Sequence, residues 1–217
     1  SKDLSNLVFM VLTPALLFRT MSSVHIEQLN FQPIAVYFVA VLILFGAVMA
    51  WRGFNQRAAV LALATTFSNT VMIGIPLIGL AYGQAGLVTL FTLISVHSLV
   101  LLTLGTVILE IVSARDARQQ GQGRQQPMAL TVLAAVKNGI IHPVPLPIII
   151  GLLFAQTGLV LPEVFDRPLL LLGNAFGPVA LVLVGVTLTQ VQVGPHLRGA
   201  MGITLMKSLC LPALMAI

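Results

Sequence analysis

Charged side chains are scarce in this chain of 217 residues: they make up 8% of it, and aromatic side chains make up 6%. A soluble globular domain carries about 25% charged residues, so this scarcity excludes one. Hydrophobic residues account for 58% of the chain. They form runs of about twenty residues, the length of a helix that spans a bilayer. The composition therefore predicts an all-α, polytopic protein whose partner is the lipid bilayer.

Sequence signatures of catalysis are missing as well. The chain contains no HExxH zinc helix, no GxSxG nucleophile elbow and no phosphate-binding P-loop, and its four histidines have no metal-ligand spacing. The single cysteine, Cys210, excludes an intrachain disulfide. We therefore expect no enzymatic activity, no cofactor, no metal site and no drive by ATP from this chain.

The net charge of +5 comes from basic residues that lie mostly in short loops. Such residues set the orientation of a membrane protein and do not indicate nucleic-acid binding. Basic and non-basic loops alternate along the chain, so the positive-inside rule predicts one topology, with the first span running from inside to outside. The seven predicted spans are residues 4–22, 33–51, 58–82, 87–112, 137–158, 168–190 and 199–217.

One polar, low-complexity stretch separates the fourth and fifth spans. It reads SARDARQQGQGRQQ at residues 113–126, a composition typical of flexible linkers. We assign residues 113–136 to a cytoplasmic linker between two units, 1–112 and 137–217.

The third span contains features that a simple spanning helix would avoid. Residues 64–83 read ATTFSNTVMIGIPLIGLAYG, with Asn69 near the middle and Pro76 seven residues later. Proline lacks a backbone donor and clashes with the carbonyl four residues back. This predicts a helix broken between about Asn69 and Pro76, with a half-helix that starts near Pro76. Broken backbone at membrane depth lines cavities, and the positive end of a half-helix suits an anion. The alternative is a proline kink in an ordinary packed helix.

A weak internal repeat relates the two units. TPALLFRTMSSV around Pro14 resembles GPVALVLVGVTL around Pro178, with an offset of 164 residues between the two prolines. The two spans run in opposite senses in the predicted topology, as an inverted repeat requires. We predict a ten-helix, inverted five-plus-five repeat in which the first unit lacks its first helix and the second lacks its last two. A second proline-broken crossover helix would then follow about sixteen residues beyond Ile217.

Four stretches together resemble the auxin efflux carrier family. They are SKDLSNLVFMVLTPALLF, NTVMIGIPL after a basic loop, GNAFGPVALVLVGVTL, and Lys-x-x-x-x-Pro in the last span. The family includes PIN-like carriers and bacterial malonate- and malate-type transporters, and the short linker is similar to that of the bacterial members. The resemblance implies ten helices in two inverted repeats, with a scaffold part and a transport part that meet at two crossed, proline-broken helices.

The resemblance and the broken span together predict a substrate site around Asn69. Its amide can donate to a carboxylate and accept from a second polar group. The alternative role for Asn69 is to cap the broken helix. Ser68 and Thr70 flank it, and Ile75 and Pro76 belong to the same site because the backbone donors of the predicted half-helix lie there.

Lys207 completes the predicted substrate site. A lysine inside a span is costly unless it faces the bundle interior or a cavity, where it can pair with an anion. The alternative is a structural lysine that hydrogen-bonds backbone carbonyls freed near Pro212.

From these features we predict a secondary transporter of small organic anions, mono- or dicarboxylates such as malonate or malate, in a bacterial inner membrane. The mechanism would be alternating access around the crossover. A non-transporting membrane sensor or scaffold, and a sodium-coupled symporter of related fold, are the alternatives. Gly-x-x-x-Gly pairs at Gly79 with Gly83 and Gly173 with Gly177 favour close helix packing, and a homodimer is left open.

Overall fold

The computed structural model describes residues 2–25, 27, 29–119, 130, 133, 137, 143–190 and 197–216. Within this part the regular elements are helices and no strand occurs, which confirms the all-α prediction. The helices are α1 (Lys2–Met21), α2 (Gln32–Arg52), α3 (Gln56–Thr66), α4 (Ile75–Gln119), α5 (Pro145–Gln156), α6 (Glu163–Thr189), α7 (Leu197–Leu205) and α8 (Leu211–Met215).

Four helical segments are long and apolar enough to cross a membrane, and they confirm the polytopic membrane fold. They are Lys2–Met21, Gln32–Arg52, Glu163–Thr189 and the stretch Gln56–His97, which comprises α3, the interruption after it and the first part of α4. Shorter apolar helices, Thr103–Ser113, Pro145–Gln156 and Gly199–Met215, fall in the predicted fourth, fifth and seventh spans. The ten-helix repeat stays a prediction. Of the predicted linker, residues 113–119 continue α4, and most of the remainder lies outside the described residues.

The chain divides into two compact units. The first consists of Ser1–Asn30, Asn69–Ser98 and Ile140–Gln192, and the second of Phe31–Ser68, Leu99–Gly139 and Val193–Ile217. Each unit therefore combines segments from both predicted halves, 1–112 and 137–217. Those halves are defined by sequence similarity and stay a prediction.

In the first unit, α1 and α6 lie side by side in opposite directions. Arg19, near the end of α1, pairs with Asp166, near the start of α6. Leu16 faces Gly173, where an added Cβ would lie 3.3 Å from the leucine Cδ1. At the other ends of the helices, Lys2 and Thr187 line the same cavity. The two proline-containing helices are thus antiparallel, which is the relation that the predicted repeat requires.

Helix α5 packs against the end of α1 at very short range. A Cβ added to Gly151 would lie 2.8 Å from the carbonyl oxygen of Phe18, so only a glycine allows this approach. The rings of Phe18 and Phe154 also meet, with centroids 6.0 Å apart. The contact buries Met21 and Ile148 completely in the apolar core of the unit.

The chain reverses direction at Gly83, inside the residues assigned to α4. Gly83 has φ 59° and ψ −149°, a backbone conformation that glycine adopts without strain. Beyond it, Leu87 lies against Gly79 and Leu90 against Gly74. Residues eight apart in a straight helix are about 12 Å apart along its axis, so these contacts require a hairpin. The turn falls where the sequence predicts one, at residues 83–86.

Three prolines each follow a π-helical turn that ends two residues earlier. The turns are Val8–Leu12 before Pro14, Thr70–Gly74 before Pro76, and Met206–Cys210 before Pro212. A wide turn moves the preceding carbonyl groups away from the proline ring, and these carbonyls accept hydrogen bonds from other donors. Thr13 Oγ1, for example, donates to the carbonyl of Val8 at 2.7 Å. These helices therefore accommodate proline by widening.

The second unit contains α2, α3, α7 and α8 with the later part of α4. Gly53, at φ 84°, ends α2, and the Asn55 side chain begins α3 by accepting the Ala58 N–H at 2.9 Å. Helix α3 packs against α4 where Gly105 meets Leu63: an added Cβ would lie 3.3 Å from the leucine. Trp51 and Arg52 stack with 4.5 Å between the guanidinium and the ring, a pair typical of a membrane interface.

Candidate substrate site at the broken helix

The predicted break exists, and it lies before Pro76. Helix α3 ends at Thr66, Phe67 is extended with ψ 114°, and helical structure resumes at Thr70. The prediction that the half-helix starts near Pro76 is therefore wrong by six residues. The reason is the π turn Thr70–Gly74, in which the Gly74 N–H donates to the Asn69 carbonyl at 3.2 Å. This wide turn accommodates Pro76 without a second interruption.

Asn69 caps the restarted helix. Its Oδ1 accepts the Met72 N–H at 3.1 Å, which fixes the orientation of the side-chain amide. The amide nitrogen then points away from the helix end, and within the described chain it donates to no protein atom. Both roles foreseen for Asn69 are therefore compatible: the oxygen caps the helix while the nitrogen stays available as a donor.

Asn69 also lines a cavity of about 540 Å³ in the first unit, which we call the Asn69 cavity. Lys2 supplies a positive charge there, and hydroxyl and amide groups come from α1 and α6. The cavity is lined by Lys2, Ser5, Asn6, Phe9, Asn69, Met72, Ile73, Leu183, Val184, Thr187, Leu188 and Gln190. A cation together with neutral donors is the set of groups that binds a carboxylate.

Ile75 and Pro76 are buried and line a different cavity of the same unit, of about 610 Å³, which we call the Pro76 cavity. Its walls are mostly apolar, and its polar groups are Arg19, Thr20, Gln84 and Asn174. Apolar walls with a few convergent polar groups are typical of small-molecule sites. The half-helix thus contributes its first turn to one cavity and its following turn to the other.

Lys207 lies in the second unit and donates a hydrogen bond from Nζ to the carbonyl oxygen of Phe67. That carbonyl belongs to the residue that ends α3, where the helix dipole is negative and backbone acceptors lack helical partners. The alternative role for Lys207, a bond to a freed carbonyl, is thus what the structure contains. The carbonyl is that of Phe67, and not one near Pro212.

The six predicted residues are therefore not all brought together. Asn69 lines one cavity, Ile75 and Pro76 line another, and Lys207 bonds the end of α3. Ser68 and Thr70 are half-buried beside the break and line neither of these two cavities.

Of the polar residues that line the two cavities, sequence reasoning predicted Asn69 and missed the others, which include Lys2 and Asn6 in the Asn69 cavity and Arg19 and Asn174 in the Pro76 cavity. Polar side chains within apolar spans are a signal that points to such positions. Arg19 is one such polar side chain, and it forms a bidentate pair with Asp166.

Comparison with known proteins identifies the family of the chain. No curated protein matches it. The family model described as membrane transport protein matches residues 1–217. Since the match covers every residue of the chain, the protein belongs to this family of multi-pass membrane transporters, which includes the auxin efflux carriers.

Proposed function

We propose that the protein is a secondary transporter of small organic anions, mono- or dicarboxylates such as malonate or malate, that works by alternating access. The observation that carries the proposal is the position of Asn69, which ends the break in the third span and lines a cavity that also contains Lys2. Broken helices that line such cavities form the substrate sites of many secondary transporters.

The chemistry of the Asn69 cavity favours an anion over a cation. Lys2 is positively charged, and the amide nitrogen of Asn69 is a donor whose partner oxygen is already used in capping. The first turn of the half-helix also presents its backbone donors and the positive end of its dipole at this place. Ser5 and Thr187 provide hydroxyls that can either donate or accept, which suits the second polar group of a substrate.

Alternating access is supported by the arrangement of the first unit. The antiparallel helices α1 and α6 line both cavities: the Asn69 cavity lies toward the start of α1 and the Pro76 cavity toward its end. Residues of the half-helix contribute to both cavities. A substrate that leaves one cavity therefore has a second binding surface on the same helix pair. The positive-inside rule predicts that residues 113–136 lie on the cytoplasmic side, and the similarity of the short linker to that of the bacterial members of the family favours a bacterial inner membrane.

Uptake by proteoliposomes containing the full-length gene product tests the proposal. Labelled malonate and malate should accumulate saturably, while malonamide, which is neutral, should neither accumulate nor compete. Saturable binding of the acids without flux would instead support the alternative of a membrane sensor. Replacing sodium by potassium on both sides would distinguish a sodium-coupled symporter, whose uptake would collapse.

A further inference from the structure

We propose that Arg19 is a carboxylate-binding residue of the Pro76 cavity and that Asp166 occupies its guanidinium group in the absence of substrate. The proposal rests on the proposed function, because it assigns a second contact for the same organic anions. It follows from one ion pair and from the cavity beside it.

The ion pair has the geometry of a bound carboxylate. Arg19 Nε lies 2.7 Å from Asp166 Oδ1, and Nη2 lies 3.0 Å from Oδ2, so both carboxylate oxygens are engaged by one edge of the guanidinium. This bidentate arrangement is the one by which arginine recognises carboxylates in ligands. Asp166 therefore holds Arg19 in the position that a substrate carboxylate would require.

The pair is accessible enough to exchange. The two side chains retain 30% and 33% of their exposure, so Asp166 can be solvated once it is displaced. Ion pairs with this degree of exposure contribute little to stability, because water competes for both groups. An incoming carboxylate would replace one set of charge-assisted hydrogen bonds by an equivalent set, and the guanidinium would stay paired throughout.

The cavity needs Arg19 for an anion to bind there. Among the residues that line it, Arg19 is the charged one, and the neutral polar groups are Thr20, Gln84 and Asn174. The apolar walls include Leu16, and an anion placed against them without a cation would lose its hydration uncompensated. Ile75 and Pro76 line the same cavity and are uncharged, so Arg19 provides the positive charge beside them.

The backbone fixes where Arg19 stands. Leu16, one turn before Arg19, packs against Gly173 of α6, and an added Cβ at Gly173 would lie 3.3 Å from Leu16 Cδ1. This close approach sets the spacing of α1 and α6, and it places the guanidinium between Asp166 and the cavity. Arg19 can therefore exchange Asp166 for a substrate carboxylate when the Asp166 side chain rotates away, without movement of the helices.

Asp166 then acts as an internal competitor of the substrate, which predicts an unusual direction for one variant. Asp166→Asn removes the competing charge and should lower the KM for uptake by about tenfold, the value of one hydrogen bond to a charged group. Arg19→Gln should raise the KM by about tenfold to a hundredfold for the same reason. The loss of a residue that only stabilises the fold should leave the KM unchanged or raise it, so a lower KM in Asp166→Asn indicates that Asp166 competes with the substrate.

Helix α6 offers a matched control one turn away. Glu163 and Arg167 form an exposed ion pair, with side chains 72% and 75% exposed. Glu163→Gln and Arg167→Gln remove the same charges from nearly the same place, and we expect KM to stay within about twofold of the wild type.

The decisive measurements are KM from uptake by proteoliposomes and, independently, the rise in unfolding temperature that malonate gives over malonamide in the purified full-length protein. We expect the rise to be larger in Asp166→Asn and smaller in Arg19→Gln, in which the Asn69 cavity still binds the acid. Arg19→Lys keeps the charge but cannot bind a carboxylate through two parallel hydrogen bonds, so it should have an intermediate effect. It replaces Arg19→Gln as the test variant if Arg19→Gln does not fold. A wild-type protein that shows no flux but an Arg19-dependent rise would refute transport and leave the anion site standing. Flux with a KM unchanged or raised in Asp166→Asn would overturn the proposal about Arg19 and leave transport standing.

Discussion

At the scale of single residues, Asn69 has two tasks that a substitution can separate. Asn69→Asp keeps an oxygen for the Met72 N–H but replaces the amide donors by a negative charge. We expect an unchanged unfolding temperature and a loss of carboxylate uptake of tenfold or more, the value of about one hydrogen bond to a charged group. Asn69→Ala should abolish uptake and also cost about 1 kcal/mol of stability through the lost cap.

Asn55 provides the control for this prediction, because its side chain caps α3 by the same contact, to the Ala58 N–H. Asn55→Asp should leave uptake near the wild type and lower stability by about 1 kcal/mol, because the Asn55 Nδ2, unlike that of Asn69, donates to the Arg52 carbonyl at 3.0 Å. If Asn69→Asp transports normally, the amide donors of Asn69 are not used by the substrate, and only its capping role remains.

Lys207 illustrates how a costly intramembrane charge is stabilised. Its bond to the Phe67 carbonyl satisfies an acceptor at the end of α3, so Lys207→Met should lower stability by about 1–3 kcal/mol. Lys207→Arg, which keeps a cation that can donate, should restore most of the loss. Thermal unfolding of the purified variants measures both effects. A raised KM with unchanged stability in Lys207→Met would show instead that the lysine contacts the substrate.

At the scale of elements, the packing of α5 on α1 depends on one glycine. Gly151→Ala would place a methyl group 2.8 Å from the Phe18 carbonyl, a backbone atom that cannot move aside without shifting the helix. We expect a destabilisation of about 1–3 kcal/mol. Gly185→Ala is the control, since an added Cβ in that part of α6 meets nothing within 4 Å. It should be neutral or stabilise by up to about 1 kcal/mol. Equal unfolding temperatures for the two variants would contradict the close approach.

The elements also mark what the sequence could and could not predict. Hydrophobic run length predicted the helices, because the bilayer imposes a span length. Pro76 correctly predicted a break, but the predicted position was wrong. A proline specifies that a backbone donor is missing, and it does not specify how the chain compensates for the lost hydrogen bond. Within α1 and immediately before α4 a π turn compensates, and the interruption occurs where Asn69 can cap a helix. Partners distant in sequence, such as Asp166 for Arg19, depend on helix packing that no local pattern specifies.

At the scale of the whole molecule, the boundaries of the two units repeat along the chain. The first unit gives way to the second after Asn30, after Ser98 and after Gln192, and the first and last of these boundaries are 162 residues apart. This is close to the offset of 164 residues between Pro14 and Pro178. The antiparallel packing of α1 and α6 gives the two proline helices opposite senses. An inverted repeat predicts both the matching boundaries and the opposite senses of the proline helices. Both come from contacts in the structure, whereas the repeat was inferred from sequence similarity.

The orientation in the membrane is the prediction that joins the repeat to transport. Single cysteines introduced at Gln122 and Glu163, in a background with Cys210→Ser, should react with an impermeant thiol reagent from opposite sides. Gln122 lies in the basic linker, which the positive-inside rule places in the cytoplasm. Glu163 begins α6, three residues before the partner of Arg19, so its label also identifies the side from which the Arg19 pair is reached. Labelling of both positions from one side would make the number of spans between them even. The two predicted halves, 1–112 and 137–217, would then share one orientation. Neither the inverted repeat nor exchange between two opposed cavities could then hold.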